Sequence, residues 1–266
     1  MFRFPHEAPP VKSGAPIGIT SDSSDSTTFR IGSKIDKRYL EQRKKLSEKY
    51  GERELWSVID HWQLYCGISN LARSMAIADI LRSTLNVPGD VAEFGSWRGA
   101  NLMFLAKLLR IYDPMSAKSV HCFEGFEGLS TFVPEDGASA EMRGKYKGSL
   151  QELEDIIDLY EMGEILIHKG LIQDTLGPTL EAQPALSFSF VYCDVDLYEP
   201  TKLILEQLHP RLCQGGVFVL DEWNSGDFPG ETLAVREFLE AHGAAYVMEH
   251  VKDTRQPNLV LRKTTA

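Results

Sequence analysis

The chain has 266 residues, 43% of them apolar, and a net charge of −10. An apolar fraction of this size over this length predicts one sizeable core, so we expect a single main domain with an N-terminal extension. The acidic balance and the lack of any basic stripe argue against nucleic acid as a partner, because a phosphate backbone is bound by clustered Lys and Arg.

The apolar runs are short. None approaches the ~20 residues of a membrane span, and the start of the chain has no signal-peptide core, which predicts a cytoplasmic protein with no membrane partner. The cysteines lack CxxC spacing, which predicts reduced core thiols and not disulfides or zinc ligands. They are Cys66, Cys122, Cys193 and Cys213.

Composition divides the chain into three parts. Residues 1–32 are rich in Pro, Gly, Ser and Thr without apolar periodicity, which predicts a flexible arm. Residues 33–86 carry helical periodicity and predict a helical cap or lid, and residues 87–266 form the main domain. The helical stretches of the second part are Lys34 to Tyr50, the positions from Glu54 to Cys66, and Ile68 to Leu85.

Beyond Pro88-Gly89, short apolar runs alternate with amphipathic stretches, a βαβ rhythm that predicts an α/β fold with helices on both faces of the sheet. Seven strands are counted, and a polar turn between the last two predicts a closing antiparallel hairpin. The expected strands are Asp90 to Phe94, Ser119 to Phe123, Ile165 to His168, Phe188 to Cys193, Gly216 to Leu220, Ala245 to His250 and Leu259 to Arg262. The expected helices are Ala100 to Ile111, Leu150 to Tyr160, a short one with Asp174 as N-cap, Leu197 to Leu208 and Glu231 to Ala241.

Two of the apolar runs end in carboxylates. Residues 192–198 read YCDVDLY and residues 220–223 read LDEW. Runs that stop in this way are typical of buried parallel strands that deliver side chains to the carboxyl edge of a sheet, where open α/β sheets bind ligands. Four acids at that edge predict a divalent-metal site or a proton-transfer site.

A structural interpretation of these acids stays open. Asp196 could cap the helix that begins at Leu197, and Asp221 and Glu222 could be solvated loop acids. Four like charges that converge without a cation would be electrostatically costly, which favours the metal.

The turn after the first strand reads EFGSWRG, from Glu93 to Gly99. It lacks the GxGxxG fingerprint of a dinucleotide site, whereas Gly95 allows a tight turn close to a ligand and Glu93 can accept hydrogen bonds from an ammonium group. This pattern is that of an S-adenosylmethionine site. The alternative is a glycine-containing βα turn with no ligand.

Two further positions support a nucleoside ligand. Glu124, at the end of the second strand, stands where a ribose diol would lie, and Gln173 could hydrogen-bond an adenine edge. A solvated surface glutamate is the alternative for Glu124.

Together these motifs resemble the macrocin O-methyltransferase family of antibiotic-sugar methyltransferases, within the class I S-adenosylmethionine-dependent enzymes. The resemblance covers roughly Asn86 to Phe238. It rests on VPGDVAEFGSWRG at 87–99, FEGFEGLS at 123–130, KGLIQDTL at 169–176, DVDLYEPT at 194–201, LHPRLCQGGVFVLDEW at 208–223 and FPGETLAVREF at 228–238.

The resemblance implies a Rossmann-like, seven-stranded methyltransferase fold, S-adenosyl-L-methionine as methyl donor and Mg²⁺ as cofactor. It implies as acceptor a hydroxyl of a nucleotide-linked sugar or of a glycosylated natural product, and we expect a homo-oligomer. It places the cofactor contacts on Glu93, Gly95, Trp97, Gly99, Asn101, Glu124, Gln173 and Asp194.

The same resemblance places the metal ligands on Asp194, Asp221 and Glu222 and the general base on Asp196. Glu222 departs from the family's usual second Asp, and its extra methylene would shift the metal or put water between them. Glu124 and Asn101 also depart, since many relatives carry Asp and Ser there, but both replacements stay polar. Asp196 is set to receive a proton only if the strand ends before it and the backbone turns.

Other functions stay open at this point. The chain could methylate a catechol-like phenol or an amine, or it could bind S-adenosylmethionine as a catalytically silent scaffold. The long segment from Ser130 to Gly148 is expected to act as a lid or binding loop, with Arg143, Lys145 and Lys147 able to meet a phosphate.

Overall fold

A computed structural model of the protein describes residue 41 and residues 60–264 apart from 253. Seven strands in this part form one sheet in the order β3-β2-β1-β4-β5-β7-β6, with the first five parallel and β7 antiparallel to both of its neighbours. The predicted fold class is confirmed. The strands are β1 (Asp90–Phe94), β2 (Val120–Glu124), β3 (Ile165–Lys169), β4 (Phe188–Cys193), β5 (Leu212–Leu220), β6 (Tyr246–His250) and β7 (Leu259–Lys263).

Helices cover both faces of the sheet. They are α1 (Trp62–Tyr65), α2 (Ile68–Ser83), α3 (Ala100–Tyr112), α4 (Leu150–Leu159), α5 (Ile172–Ala182), α6 (Tyr198–Leu208) and α7 (Pro229–His242), with 3₁₀ turns at Pro134–Met142, His209–Arg211 and Gly243–Ala245. The predicted arm at 1–32 and the predicted helix from Lys34 to Tyr50 lie outside the continuously described residues. The proposed boundary between residues 86 and 87 stays a prediction.

Alternation along the central strands builds one apolar layer on each face. In β4, Val191 and Cys193 face a core that includes α5, α6 and α7, whereas Phe190 and Tyr192 face a core that includes α2, α3 and α4. Phe218, on β5, lies in the first of these cores. Because both faces are covered, the strands read as continuous apolar runs in the sequence.

The register of the sheet brings the ends of four strands to one edge. Phe94 pairs with both Phe123 and Cys193, and Cys193 pairs with Leu220. The strand order reverses between β1 and β4, and such a switch point opens a crevice at the carboxyl ends of parallel strands.

Two predicted boundaries are wrong. Helix α5 begins at Ile172 with Leu171 as its N-cap, so Asp174 lies in the first turn and caps nothing, although a carboxylate there still suits the positive end of the helix dipole. Strand β5 begins at Leu212, four residues before its predicted start at Gly216.

The segment from Ser130 to Gly148 contains the 3₁₀ turn Pro134–Met142, and one buried side chain attaches it to the domain. Asp136 is fully buried, and its carboxylate accepts hydrogen bonds from the backbone N–H of Tyr198 at 2.7 Å and of Val133 at 2.9 Å. The first of these satisfies a free N–H at the start of α6. The segment is therefore anchored at its centre.

None of the helices in the described part is long and apolar enough to span a membrane. All four cysteines are free thiols.

Replacing Asp136 with Ala should lower the free energy of unfolding by about 2–4 kcal/mol, because it leaves two buried N–H groups without acceptors. Chemical denaturation followed by circular dichroism measures this loss. The neighbouring Glu135 is exposed, so Glu135→Ala should change the same quantity by less than about 0.5 kcal/mol. Equal losses in the two variants would contradict the anchoring role of Asp136.

Candidate active site

The turn after β1 depends on a glycine. Gly95 has φ of +83°, and a Cβ added there would lie 1.9 Å from the carbonyl oxygen of Asp194. Only a residue without a side chain lets the turn lie this close to the end of β4. The turn is therefore tied to the first of the acidic residues.

Glu93 lies beneath this turn and not on the cleft surface. Its carboxylate is 1% exposed and accepts hydrogen bonds from the Ser96 hydroxyl at 2.6 Å and the Asn101 amide at 2.7 Å. Burial raises the pKa of Glu93 to about 7, although both hydrogen bonds oppose the shift. The predicted cofactor contacts of Glu93 and Asn101 stay predictions, because what the structure shows is their part in holding the turn.

Gly99, also predicted as a cofactor contact, precedes α3 with φ of +79°. A Cβ at this position would come within 2.4 Å of the Leu153 side chain on α4. Gly99 therefore allows α4 to pack against the turn.

Glu124 connects the turns after β1 and β2. Its two carboxylate oxygens accept hydrogen bonds from the backbone N–H of Trp97 at 2.8 Å and of Phe126 at 2.7 Å. Glu124 and Trp97 both line the cleft. Burial raises the pKa of Glu124, and the backbone donors oppose that rise.

Gln173 lies on the first turn of α5, exposed at the far side of the same cleft. Its amide donates a hydrogen bond to the Thr131 hydroxyl at 3.3 Å. Gly95, Trp97, Glu124 and Gln173 therefore line one cleft, and their contacts with a cofactor stay predictions.

Four acids at the ends of β4 and β5 line the cleft, as the strand pattern predicts. They are Asp194, Asp196, Asp221 and Glu222. Strand β4 ends at Cys193, and the backbone turns at Asp196 with φ of +64°, which meets the condition for Asp194 and Asp196 to differ in direction. Asp196 does not cap α6, since the N–H of Tyr198 is taken by Asp136.

One basic side chain, which sequence reasoning missed, lies between two of these acids. Arg73, on α2, donates from Nη1 to Oδ2 of Asp221 and from Nη2 to Oδ2 of Asp194, both at 3.0 Å. The ion pair with Asp221 is buried, since the Arg73 side chain is 10% exposed and that of Asp221 1%, whereas the pair with Asp194 is partly buried, with the Asp194 side chain 26% exposed. Arg73 lies on the same face of α2 as the buried Ile77 and Leu81. A charged residue on an otherwise apolar helix face is the sequence signal that could have identified Arg73 as a site residue.

Asp221 and Glu222 have further partners. The Tyr192 hydroxyl donates to Oδ1 of Asp221. The Gln256 amide donates to Oε1 of Glu222, whereas no donor in the described part forms a hydrogen bond to the buried Oε2. Glu231 is fully buried and accepts from the backbone N–H of Glu222 at 2.8 Å. Gln256 lies in the loop after β6, and no sequence pattern predicted its contact with Glu222.

Burial and mutual repulsion raise the pKa values of Asp194, Asp196 and Glu222. The pKa of Asp194 is raised by burial and then by Asp221, with Arg73 opposing, and that of Asp196 by burial and then by Glu222. Burial and then Asp221 raise the pKa of Glu222 to about 8. These shifts are those expected where buried negative charge exceeds the positive charge beside it.

The acids fit a divalent cation in their chemistry. Three carboxylates from adjacent strand ends are hard oxygen donors, and Oε2 of Glu222 is buried without a donor. Their present arrangement differs from a formed site, because no group of three or more acidic, His or Cys side chains among the described residues is placed to hold a metal. Asp194 and Asp221 point instead to Arg73. The predicted ligand set stays a prediction.

Residues 46–255 match the model of the macrocin-O-methyltransferase (TylF) family. The chain belongs to this family. It is also 32% identical over 150 residues to an 8-demethyl-8-(2,3-dimethoxy-alpha-L-rhamnosyl)-tetracenomycin-C 4'-O-methyltransferase of Streptomyces olivaceus. That match covers 52% of this chain, and the chain spans only 54% of the relative's length.

Solved structures show the same fold. A calicheamicin methyltransferase superposes with a TM-score of 0.74 and 24% identity over 91% of this chain and 99% of the other. The apo structure of a TDP-rhamnose 3'-O-methyltransferase from calicheamicin biosynthesis gives a TM-score of 0.67 with 23% identity, covering 85% and 94% of the two chains. The predicted class I methyltransferase architecture is confirmed.

Replacing Gly95 with Ala should weaken binding of S-adenosylhomocysteine about tenfold or more, because the added Cβ displaces either the turn or Asp194. Isothermal titration calorimetry measures the affinity. Gly163 is the matched control, since a Cβ there meets no atom within 4 Å. Gly163→Ala should bind like the natural protein, and equal affinity in Gly95→Ala would show that this turn does not hold the cofactor.

Proposed function

We propose that the protein is an S-adenosylmethionine-dependent O-methyltransferase that acts on a sugar hydroxyl. The observation that carries the proposal is one shared cleft: the turn at Gly95 and the carboxylate of Glu124 line it together with Asp194 and Asp196. A nucleoside-type ligand and a group able to accept a proton would therefore lie side by side.

Different residues along the cleft would contact different parts of the methyl donor. Glu124 would accept the ribose hydroxyl protons, and Gln173 would contact the adenine edge. The backbone at Gly95 would border the methionine part, with Glu93 and Asn101 fixing the turn from below. When bound, S-adenosylmethionine supplies a methyl group on a positively charged sulfur.

An alcohol is a poor nucleophile while it keeps its proton, so the acceptor hydroxyl needs a base. Asp196 lies on the turn after β4, lines the cleft and is not engaged as a helix cap. It would take the hydroxyl proton as the oxygen attacks the methyl carbon in line with the departing sulfur. Asp194, tied to Gly95 through its backbone, fixes the distance between the two reactants.

We propose Mg²⁺ at Asp194, Asp221 and Glu222, whose oxygens are the donors that this ion prefers. Bound there, it would lower the pKa of an acceptor hydroxyl and offset the buried negative charge. Side chains must rearrange for this, because Arg73 holds two of these acids.

The acceptor is proposed from the relatives. The Streptomyces olivaceus enzyme is named for a rhamnosyl glycoside and the calicheamicin enzyme for TDP-rhamnose, so a deoxysugar is the shared element. Val195, Leu197, Pro200, Phe228 and Tyr146 also line the cleft, and we propose that the acceptor contacts them. Whether a nucleotide or a finished aglycone carries the sugar is decided by assay.

The basic residues of the loop have partners of their own. The Arg143 guanidinium donates to the Ser130 carbonyl and lies 4.9 Å from the Phe132 ring centroid, and Lys147 is 4.0 Å from the Glu127 carboxylate. A phosphate contact at this loop stays a prediction, as do the homo-oligomer and the cytoplasmic location.

Asp196→Asn should keep its affinity for S-adenosylhomocysteine and lose turnover by about 10²–10⁴-fold, because the amide cannot accept the hydroxyl proton. Turnover is measured by mass spectrometry of the methylated product with TDP-rhamnose and rhamnosyl glycosides as acceptors. Glu199→Gln, a neutralised exposed acid nearby, should retain activity. Full turnover in Asp196→Asn would remove Asp196 as the base.

Chelation should abolish activity if the metal part of the proposal holds. Turnover in saturating EDTA should fall about a hundredfold or more, since a metal supplies several kcal/mol of charge stabilisation, and excess MgCl₂ should restore it. Unchanged turnover in EDTA would contradict the metal part of the proposal.

A further inference from the structure

Arg73 is placed by the fold as a fixed cation between two carboxylates. Ile77 and Leu81, one and two turns further along α2, are buried in the core beneath the sheet, so the helix cannot slide without unpacking. The guanidinium reaches the carboxyl edge and contacts Asp194 and Asp221 with different nitrogens. Its carbon lies 5.8 Å from the ring centroid of Tyr192, the residue that also bonds Asp221.

Each oxygen of Asp221 already accepts a hydrogen bond in this arrangement. Oδ1 accepts from the Tyr192 hydroxyl, and Oδ2 accepts from Arg73. Oδ2 of Asp194 accepts from the same guanidinium. A divalent cation bound directly by these two carboxylates would lie close to the guanidinium, and the two positive charges would repel each other.

From this conflict, and resting on the proposed function, we propose that Arg73 and a divalent cation are alternative counter-ions for Asp194 and Asp221. In the cation-free protein Arg73 holds the two carboxylates together. Cation binding releases Arg73, and with it the first half of α2, from the floor of the cleft. Arg73 is thus a positioning residue that sets the cation affinity of the site.

The burial of the pair explains why such a residue is needed. Asp194 and Asp221 follow paired strand ends, so the sheet holds them close whether or not a cation is present. Two buried carboxylates without a counter-charge repel each other and destabilise the fold. Arg73 neutralises these carboxylates in the cation-free protein, and it therefore competes with a cation for the same two side chains.

The competition is tested by calorimetric titration of MgCl₂ and MnCl₂ into the full-length protein and its variants. Arg73→Met removes the competing charge and should bind the cation at least about tenfold more tightly than the natural protein, which corresponds to about 1.4 kcal/mol. Arg82→Met is the matched control, because Arg82 lies on the same helix, is exposed and stacks on Tyr112 away from the acids. It should change the affinity by less than about twofold.

Each outcome of the titration supports or contradicts the competition between Arg73 and a cation. Tighter binding in Arg73→Met alone supports the competition, including the case in which only this variant binds a cation. Equal or weaker binding in Arg73→Met, with measurable binding by the natural protein, overturns the inference and leaves the proposed metal site standing. Absence of binding in every variant overturns both the inference and the metal part of the proposed function, but not cofactor binding.

A second measurement needs no variant and covers the case in which Arg73→Met does not fold. Amide hydrogen exchange of residues 68–83 in the natural protein should become faster on addition of MgCl₂, because α2 loses its contact with Asp194 and Asp221. Unchanged or slower exchange in this helix, at a concentration where calorimetry shows the cation bound, would contradict the release of Arg73. Arg73→Lys, which keeps the charge but not two separate donors in a fixed plane, should have intermediate cation affinity.

Discussion

The neutralisation of buried negative charge at the carboxyl edge of the sheet is the constraint on which the site depends. Paired strand ends bring Asp194 beside Asp221, and neither can move away without breaking the register of β4 and β5. Arg73 supplies one positive charge, but Glu222 and Glu231 are also buried there. The buried Arg255 and Arg73 both lower the pKa of Glu222, yet burial and the charge of Asp221 raise that pKa to about 8. A site in this state favours ligands that bring positive charge, and both a sulfonium and a divalent cation do so.

The same edge of the sheet connects the turn proposed to hold the cofactor with the acids proposed to act on the acceptor. Gly95 lets the turn after β1 touch the backbone of Asp194, and Glu124 fixes that turn through the N–H of Trp97. A change at the cofactor turn is therefore transmitted to the acids. On the other side, Asp136 anchors the segment 130–148 at the start of α6, directly after the turn that carries Asp196. The expected lid is thus tethered to the element that presents the proposed base.

Much of the fold could be predicted because its signals are local. The run of residues 188–193 is apolar and stops at an acid, and β4 has these bounds in the structure. The failures are also local in origin: Asp174 has the chemistry of an N-cap, but the chain enters α5 earlier through the extended Leu171. The prediction also began β5 at Gly216, yet the sheet extends this strand back to Leu212.

Only the acidic residues of the site could be predicted from the sequence, because their partners are distant along the chain. The acids could be predicted because each follows the end of an apolar strand. Arg73 is separated from Asp194 by 121 positions and from Asp221 by 148, so only the tertiary structure brings them together. Gln256 reaches Glu222 from a loop without any pattern. Sequence reasoning therefore identified the negative half of the site and missed the positive half.

Transfer of a labelled methyl group tests the central claim most directly. The purified chain would be incubated with S-adenosylmethionine carrying a ¹³C methyl and with nucleotide-linked and glycoside-linked deoxysugars, and the product examined by NMR. We expect the label on the oxygen of a former sugar hydroxyl, as an O-methyl ether, with one equivalent of S-adenosylhomocysteine formed for each methyl transferred. A label on nitrogen or on a phenol oxygen, or bound cofactor with no transfer to any sugar hydroxyl, would contradict it.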